Sequence, residues 1–139
     1  MKTVFNLNGV EFGMSSRYVG CVSNVWKGDR NNHNKFVITI TAAGGRTSFT
    51  FYGSAADCWA GVTELDESGL KGALECFLSD ASCYDCARDF EDFCSELGYD
   101  RIEDYKQARA TYNGCKRHSA AASRVFGSDT SLIWDALTE

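Results

Sequence analysis

The sequence predicts an α+β fold in which an N-terminal antiparallel β-sheet packs against about three C-terminal α-helices. Residues 3–53 alternate apolar with polar side chains and are rich in β-branched and aromatic residues, whereas apolar residues recur at helical spacing from residue 66 onward. Strands that all precede the helices are typical of α+β domains. A chain of 139 residues fits one domain, residues 1–139, which buries about two-thirds of its unfolded surface.

The N-terminal half predicts two β-hairpins and one further strand between them. Asn8-Gly9 between two alternating segments is typical of a two-residue hairpin turn. The polar residues 29–34 predict an exposed loop. The linker Ala42-Ala43-Gly44-Gly45 joins the strands of the second hairpin. The five strand segments are residues 4–7, 10–12, 18–26, 35–41 and 46–52.

Three helices are predicted in the second half, with Gly98 and Gly127 as C-terminal stops for the second and third. They run over about residues 66–79, 86–97 and 102–126. On the second helix one apolar stripe is expected to attach the segment to the core. Its members are Cys86, Phe90, Phe93 and Leu97. Residues 132–137 are expected to form a last short turn.

Charge is distributed very unevenly along the chain. The net charge is +4 for residues 1–56 (six bases, two acids), −11 for residues 57–104 (three bases, fourteen acids) and +2 for residues 105–139 (five bases, three acids). Residues 1–56 therefore form a basic β-rich half, and the acidic segment of residues 57–104 opens the helical half, residues 57–139. Such a field attracts basic partners, which excludes free duplex nucleic acid as a ligand of the middle third and favours a basic groove on a protein.

The densest acidic stretch, residues 80–104, holds nine carboxylates, two arginines and the aromatic residues Phe90, Phe93 and Tyr99. A purely solvating acidic tail would lack those apolar residues, so the segment predicts a folded acidic surface. Helical spacing places four carboxylates on one flank of the second helix, and two more form a second cluster. These candidate partner-binding residues are Asp85, Asp89, Asp92, Glu96, Glu103 and Asp104.

A row of carboxylates on a helix can imitate the spaced negative charge of a nucleic-acid backbone. The alternative is an ordinary solvated face that complements a buried stripe. The partner hypothesis predicts that reversing the six charges abolishes binding and leaves the fold intact.

A structural zinc site is the alternative for the cysteines. Cys83 and Cys86 form a C-x-x-C pair, and Cys115 and His118 lie three residues apart, so together they could supply four tetrahedral ligands. Against this, 28 residues separate the two pairs, and Cys115 lies on the apolar stripe of the third helix, where a free cysteine acts as a small hydrophobe. The leading interpretation therefore includes no metal and no cofactor.

The sequence predicts no enzyme and no catalytic residue. His33 lies in a polar loop and His118 beside Lys116 and Arg117, so both are expected to face solvent without a nucleophile to activate. Gly44-Gly45 joins two strands and lacks the helix and lysine of a phosphate-binding loop. The chain lacks a run of roughly 18 apolar residues and an apolar leader, which predicts no membrane association and a cytoplasmic location.

Single-stranded nucleic-acid binding is the remaining alternative. A basic sheet with exposed aromatic side chains could stack unpaired bases. The competing interpretation is that these alternating aromatics face the core. The basic residues concerned are Arg17, Lys27, Arg30, Lys35 and Arg46, and the aromatic residues are Tyr18, Trp26, Phe49, Phe51 and Tyr52.

Residues 89–100, DFEDFCSELGYD, and the helix ending in Arg124-Val125-Phe126 resemble a motif of small uncharacterised bacteriophage and prophage proteins. The hairpin of residues 36–52 and residues 77–81 are similar to segments that precede this motif, so the resemblance covers about residues 35–127. The family commonly has Gly-Tyr-Asp-x-Asp-Ser-Arg where this chain has Gly98-Tyr99-Asp100-Arg101-Ile102-Glu103-Asp104.

The resemblance implies a phage origin and a place in the host cell cytoplasm. By analogy with small acidic phage proteins, it leads to the expectation of a non-enzymatic, anti-CRISPR-like inhibitor. Its expected partner is a host defence protein with a basic surface, such as a CRISPR–Cas effector.

Overall fold

The computed structural model describes residues 2–26 and 28–139 and has the predicted α+β fold, with a four-stranded antiparallel sheet followed by helices. The strands lie in chain order, each hydrogen-bonded to the next. They are β1 (Lys2–Leu7), β2 (Val10–Val22), β3 (His33–Ala42) and β4 (Gly45–Tyr52).

Both predicted hairpins are confirmed. Asn8 and Gly9 have φ of 51° and 85°, the left-handed values that a two-residue turn between antiparallel strands requires. The separate third strand at residues 18–26 is wrong, because β2 runs without interruption from Val10 to Val22. The Gly- and Ser-rich residues 13–16 are extended because β3 pairs with all four and β1 pairs with residues 13–15 on the other side. A bulge between Tyr18 and Gly20 bends the strand near its end.

The exposed loop predicted at residues 29–34 is confirmed for residues 30–32, which are exposed and lie outside the strands, and is wrong for residues 33–34. His33 and Asn34 are buried and begin β3. The Asn34 side chain donates to the carbonyl of Val62 at 2.6 Å, and His33 contacts the Asp29 carboxylate and the Gly53 carbonyl. Polar residues are buried here because each has a hydrogen-bonding partner.

Five helices follow the sheet, together with a 3-10 turn at Gly127–Asp129. The first, α1, was not predicted. The first predicted helix continues to Cys86, and the second begins at Phe90, because the Asp89 carboxylate accepts a hydrogen bond from the backbone N–H of Asp92 at 2.8 Å and caps a new helix. The helices are α1 (Ala55–Trp59), α2 (Glu67–Cys86), α3 (Phe90–Leu97), α4 (Tyr105–Phe126) and α5 (Thr130–Leu137).

The main core lies between one face of the sheet and the helices α2, α4 and α5. The rings of Phe49 on β4 and Phe77 on α2 stack at 4.5 Å, and Phe126 at the end of α4 meets Phe12 on β2. Ile133 of α5 is fully buried in the same core. The opposite face of the sheet carries the polar positions that alternate with these buried residues.

Helices α2 and α4 run antiparallel, since His118 lies beside Phe77 whereas Tyr112 lies beside Tyr84. Their far ends, together with α3, enclose a second and smaller apolar cluster in which Phe93 and Cys94 are buried. The predicted stripe on the second helix is therefore partly wrong. Phe93 is buried as predicted, with Cys94 beside it, but Leu97 is exposed. Cys86 is exposed at the end of α2 and does not belong to α3.

Within the two described ranges, no helix combines the length and apolar character that crossing a membrane requires.

Candidate partner-binding surface

The small helical cluster around α3 holds seven of the nine carboxylates of residues 80–104. We call residues 89–104 the acidic end; it comprises the cap of α3, α3 itself, the turn that follows and the residue before α4. It contains seven carboxylates and one arginine, Arg101. Helix α3 packs against α4 rather than on the sheet, so this charge lies apart from the main core.

The four carboxylates predicted on one flank of the second helix do not share one helix, which corrects the prediction from helical spacing. Asp85 lies on α2 and accepts a hydrogen bond from the Ser119 hydroxyl of α4, whereas Asp89 caps α3. Only Asp92 and Glu96 lie on α3. The break between α2 and α3 at residues 87–89 explains the error, because continuous helical periodicity was assumed across it.

Four of the six carboxylates hold local structure together. Besides Asp85 and Asp89, Asp92 accepts a hydrogen bond from the backbone N–H of Arg88 at 3.1 Å. Asp104 accepts one from the backbone N–H of Asp100 at 2.9 Å. Reversing these charges would therefore disturb the fold as well as the surface.

The glutamates of the acidic end are the carboxylates best placed for a partner. Glu96 and Glu103 are exposed. Glu91 is exposed too, and it pairs with Arg101 at 3.1 Å. Both side chains of that pair are mostly in solvent, where such a bridge contributes little to stability.

Large apolar side chains are exposed in the acidic end and at the first residue of α4. Ile102 is 79% exposed, Tyr105 51% and Leu97 42%. The third helix was predicted to begin at about Ile102, but α4 starts only at Tyr105. The Asp100 carboxylate accepts hydrogen bonds from the backbone N–H groups of Ile102 and Glu103, each at 2.8 Å, and so forms a turn before the helix. Exposed apolar residues surrounded by charge are typical of protein-binding surfaces.

The turn could have been found in the sequence. Asp100 and Asp104 are both residues that start turns and helices, and reading Asp104 as the cap of α4 places Ile102 before the helix.

The four residues of the zinc hypothesis are not gathered into a ligand set. Among residues 2–26 and 28–139, no group of three or more His, Cys, Asp or Glu side chains is arranged to hold a metal ion. Cys86 is exposed and contacts the Ser82 hydroxyl, while Cys115 is buried on α4. Burial, with a smaller contribution from the charge of Asp80, raises the pKa of the Cys115 thiol to about 12, which disfavours the thiolate that zinc binds.

The prediction that both histidines face solvent is wrong. His33 is only 4% exposed. His118 is partly buried, and its ring lies 5.0 Å from that of Phe77 and 5.9 Å from that of Phe49. Its Nδ1 atom lies 3.2 Å from the Asp80 carboxylate.

The basic residues of the sheet lie on one face and most of its aromatic residues on the other, except Tyr52, which pairs with Lys35 and shares its face. Phe49 is buried in the core, and Phe51 packs against the core from the same face. Arg17 and Lys35 alternate with buried residues and therefore point to the open face, as does Arg46. Lys27 lies outside the described residues. This separation leaves most of the aromatic residues unable to stack bases next to the basic ones.

No protein family model matches the chain, and comparisons with curated proteins and with solved structures find no significant match.

Proposed function

We propose that this protein acts by binding another protein, and that its acidic end occupies a basic, nucleic-acid-binding site on that partner. The observation that carries the proposal is the combination of exposed glutamates with exposed Ile102 and Tyr105 on one small helical unit. Apolar anchors supply most of the affinity in protein interfaces, while surrounding charges provide specificity and a fast approach.

The charges favour a basic partner. Residues 57–104 carry a net charge of −11. Both arginines of residues 80–104 form ion pairs within that stretch, Arg88 with Asp92 and Arg101 with Glu91. A positively charged groove that normally holds nucleic acid complements this surface, and the glutamates would occupy the places of phosphates.

The similarity of the motif at residues 89–100 to phage and prophage proteins supports a more specific proposal. The partner is a defence protein in the host cytoplasm, and a CRISPR–Cas effector is the first candidate because its guide and target channels are strongly basic. Inhibition then needs no chemistry, since an occupied channel cannot bind DNA.

The experiment measures target DNA binding by a panel of purified, guide-loaded CRISPR–Cas effectors as this protein is added, using a mobility-shift assay. Inhibition of at least one effector is expected, and the triple variant E91K/E96K/E103K should inhibit roughly tenfold less or worse. Those three glutamates were chosen because the turn and cap hydrogen bonds use other carboxylates.

The matched control is E11K/E64K/E75K, which changes the net charge equally at exposed positions outside the acidic end. It should inhibit like the wild type. If the two triple variants inhibit equally weakly, only net charge matters, and the role of the acidic end is overturned. A panel in which no effector responds would rule out this class of partner.

A further inference from the structure

A long groove separates β4 from α4, and we call it the β4 groove. Its volume is about 870 Å³, and residues 47–52 of β4 form one wall. The other wall is mainly α4, which contributes the small residues Ala110, Gly114 and Ala121 beside the basic residues Arg117 and Arg124. The function proposed above uses none of these residues.

Strand β4 is at the edge of the sheet, because it pairs only with β3. The backbone N–H of Gly53 donates to the carbonyl of Asn34 at 2.9 Å, which fixes the phase of the ladder. Hydrogen-bonded and non-hydrogen-bonded pairs alternate in antiparallel strands. Ser48, Thr50 and Tyr52 therefore turn their backbone N–H and C=O groups away from β3, toward the outer edge that borders the groove. Such an edge is a template for another strand.

Small side chains on α4 keep the groove open. Gly114 lies in the middle of a helix, where glycine costs about 1 kcal/mol relative to alanine. Packing does not require it, since an added Cβ would meet only the Arg117 guanidinium, at 3.8 Å. A glycine at this position therefore leaves space in the groove rather than tightening the helix against a neighbour.

The groove is basic. Arg117 and Arg124 line it with His118, and Asp80 is the only acid among the described residues of its lining. Arg124 also donates to the carbonyl of Arg46 at 3.0 Å, which holds one guanidinium at the end of β4. The Nδ1 atom of His118 is buried and lies 3.2 Å from the Asp80 carboxylate, but within the described ranges it has no hydrogen-bond partner.

We propose that the β4 groove binds an extended acidic segment of a partner protein, which adds to the sheet as a fifth strand. Backbone hydrogen bonds to Ser48, Thr50 and Tyr52 supply affinity, and carboxylates on alternate residues meet Arg117 and Arg124. A second copy of this chain is a poorer occupant, because pairing two β4 edges would bring both sets of arginines together.

The probe is a fluorescein-labelled peptide of about ten alternating Asp and Val residues, tested by fluorescence anisotropy against Ser–Val and Lys–Val peptides. The acidic peptide should bind roughly tenfold more tightly than the neutral one, and less tightly at high salt. Arg117→Glu with Arg124→Glu should abolish this preference. Equal binding of acidic and neutral peptides, or no binding, would overturn the proposal.

Strand addition is tested separately from charge. Thr50→Pro removes an outward N–H without breaking the ladder to β3, so it should abolish binding, whereas Thr50→Val keeps the N–H and should bind normally. If Thr50→Pro fails to fold, the acidic peptide N-methylated at alternate residues tests the same hydrogen bonds on the wild-type protein. Binding of that peptide as tight as that of the parent would contradict strand addition.

The glutamate variant E91K/E96K/E103K distinguishes this proposal from the function of the acidic end, because it should retain peptide binding. Sedimentation of the wild type gives a further check. A dimer that Thr50→Pro dissociates would identify a second copy as the occupant and overturn the acidic peptide.

A different observation carries a second inference. The sulfur atoms of Cys21, near the end of β2, and Cys58, on α1, lie 3.0 Å apart. Cys21 is exposed, so reagents in solution can reach the pair. A disulfide has sulfur atoms about 2.05 Å apart, so the two sulfurs need to approach each other by about 1 Å to bond.

We infer that Cys21 and Cys58 form a reversible disulfide with each other. The oxidant is a small-molecule disulfide such as oxidised glutathione. One cysteine thiolate attacks the glutathione disulfide and releases one glutathione thiolate. The second cysteine thiolate then attacks the mixed disulfide and releases the other. Two electrons pass from the protein to glutathione, and the two thiol protons go to the released thiolates.

Peptide mass mapping after treatment with oxidised glutathione tests this inference. A Cys21–Cys58 linkage should form within the wild-type chain and be absent from Cys21→Ser. The control Cys76→Ser, at another exposed cysteine, should form it normally. Linkage confined to Cys83 and Cys86, or glutathione adducts that never resolve, would overturn the inference.

Discussion

The imidazole Nε2 of His33 lies 2.6 Å from the carboxylate of Asp29, four residues earlier in the chain. The other ring nitrogen, Nδ1, lies 2.8 Å from the carbonyl oxygen of Gly53. Both partners are acceptors, so the protonated ring satisfies both by donating from each nitrogen, whereas the neutral ring can donate to only one. The contact fastens the loop after β2 to the end of β4.

Stability should therefore depend on the charge of His33. The Gly53 carbonyl and, next, the Asp29 carboxylate raise the pKa of His33, although burial opposes them. A raised folded-state pKa stabilises the protein fully below the unfolded value of about 6.5, and this contribution is lost as pH rises through the folded-state value. Urea unfolding at about pH 6 and pH 8.5 measures this. The free energy of unfolding of the wild type should exceed that of His33→Gln by more at the lower pH.

The opposite sign holds for Asp29 in acid. The backbone N–H of Asn31 and, next, the His33 side chain lower the pKa of Asp29, so its contribution is present above the unfolded value and is lost as pH falls through the folded value. His33→Gln should reduce this acid dependence. A pH-independent difference between wild type and His33→Gln across both ranges would contradict the ion pair.

The cap of α3 separates structural from surface roles in the acidic end. Asp89→Ala removes the acceptor for the Asp92 N–H and should lower stability by about 1 kcal/mol. Asp89→Asn keeps an acceptor and changes the charge equally, so it should remain close to wild type in thermal unfolding. If the two variants lose the same stability, the charge of Asp89 matters more than its cap.

The sequence predicted the hairpins and the order of strands and helices because turn residues and side-chain periodicity are local signals. Asn8-Gly9 is one such signal, and it has the expected conformation. The sequence could not predict that β2 continues through residues 13–16, because pairing with the neighbouring strands supplies the extended conformation there. Nor could it predict the burial of His33, which depends on the carbonyl of Gly53, twenty residues away.

The candidate surface shows the same division. Composition alone located the acidic segment. Whether a single carboxylate forms structural hydrogen bonds or is free on the surface depends on where the helices break. Asp85 bonds to Ser119, thirty-four residues later, and this pairing follows only from the packing of α2 on α4. The aromatic and basic residues of the sheet could be assigned to its two faces only after the register was known.

Two Gly→Ala substitutions should have opposite effects. An added Cβ at Gly44 would collide with the carbonyl oxygens of Arg124 and Val125, the latter at 2.8 Å, where the second hairpin meets the end of α4. Gly44→Ala should destabilise the protein by about 1–3 kcal/mol. At Gly72 a Cβ meets nothing within 4 Å, so Gly72→Ala should stabilise α2 by up to about 1 kcal/mol. Urea unfolding measures both, and equal shifts would contradict the contact at Gly44.

Ile102 should matter for binding and hardly at all for folding. Its side chain is 79% exposed, so Ile102→Ser removes little buried surface, and thermal unfolding should stay within about 0.5 kcal/mol of wild type. If the acidic end occupies a partner as proposed, losing this anchor should weaken inhibition of the responding effector roughly tenfold, because buried apolar anchors dominate interface affinity. Leu132→Ser, at another exposed apolar residue outside the acidic end, is the matched control and should inhibit normally. Unchanged inhibition by Ile102→Ser would show that binding depends on charge without the apolar contact.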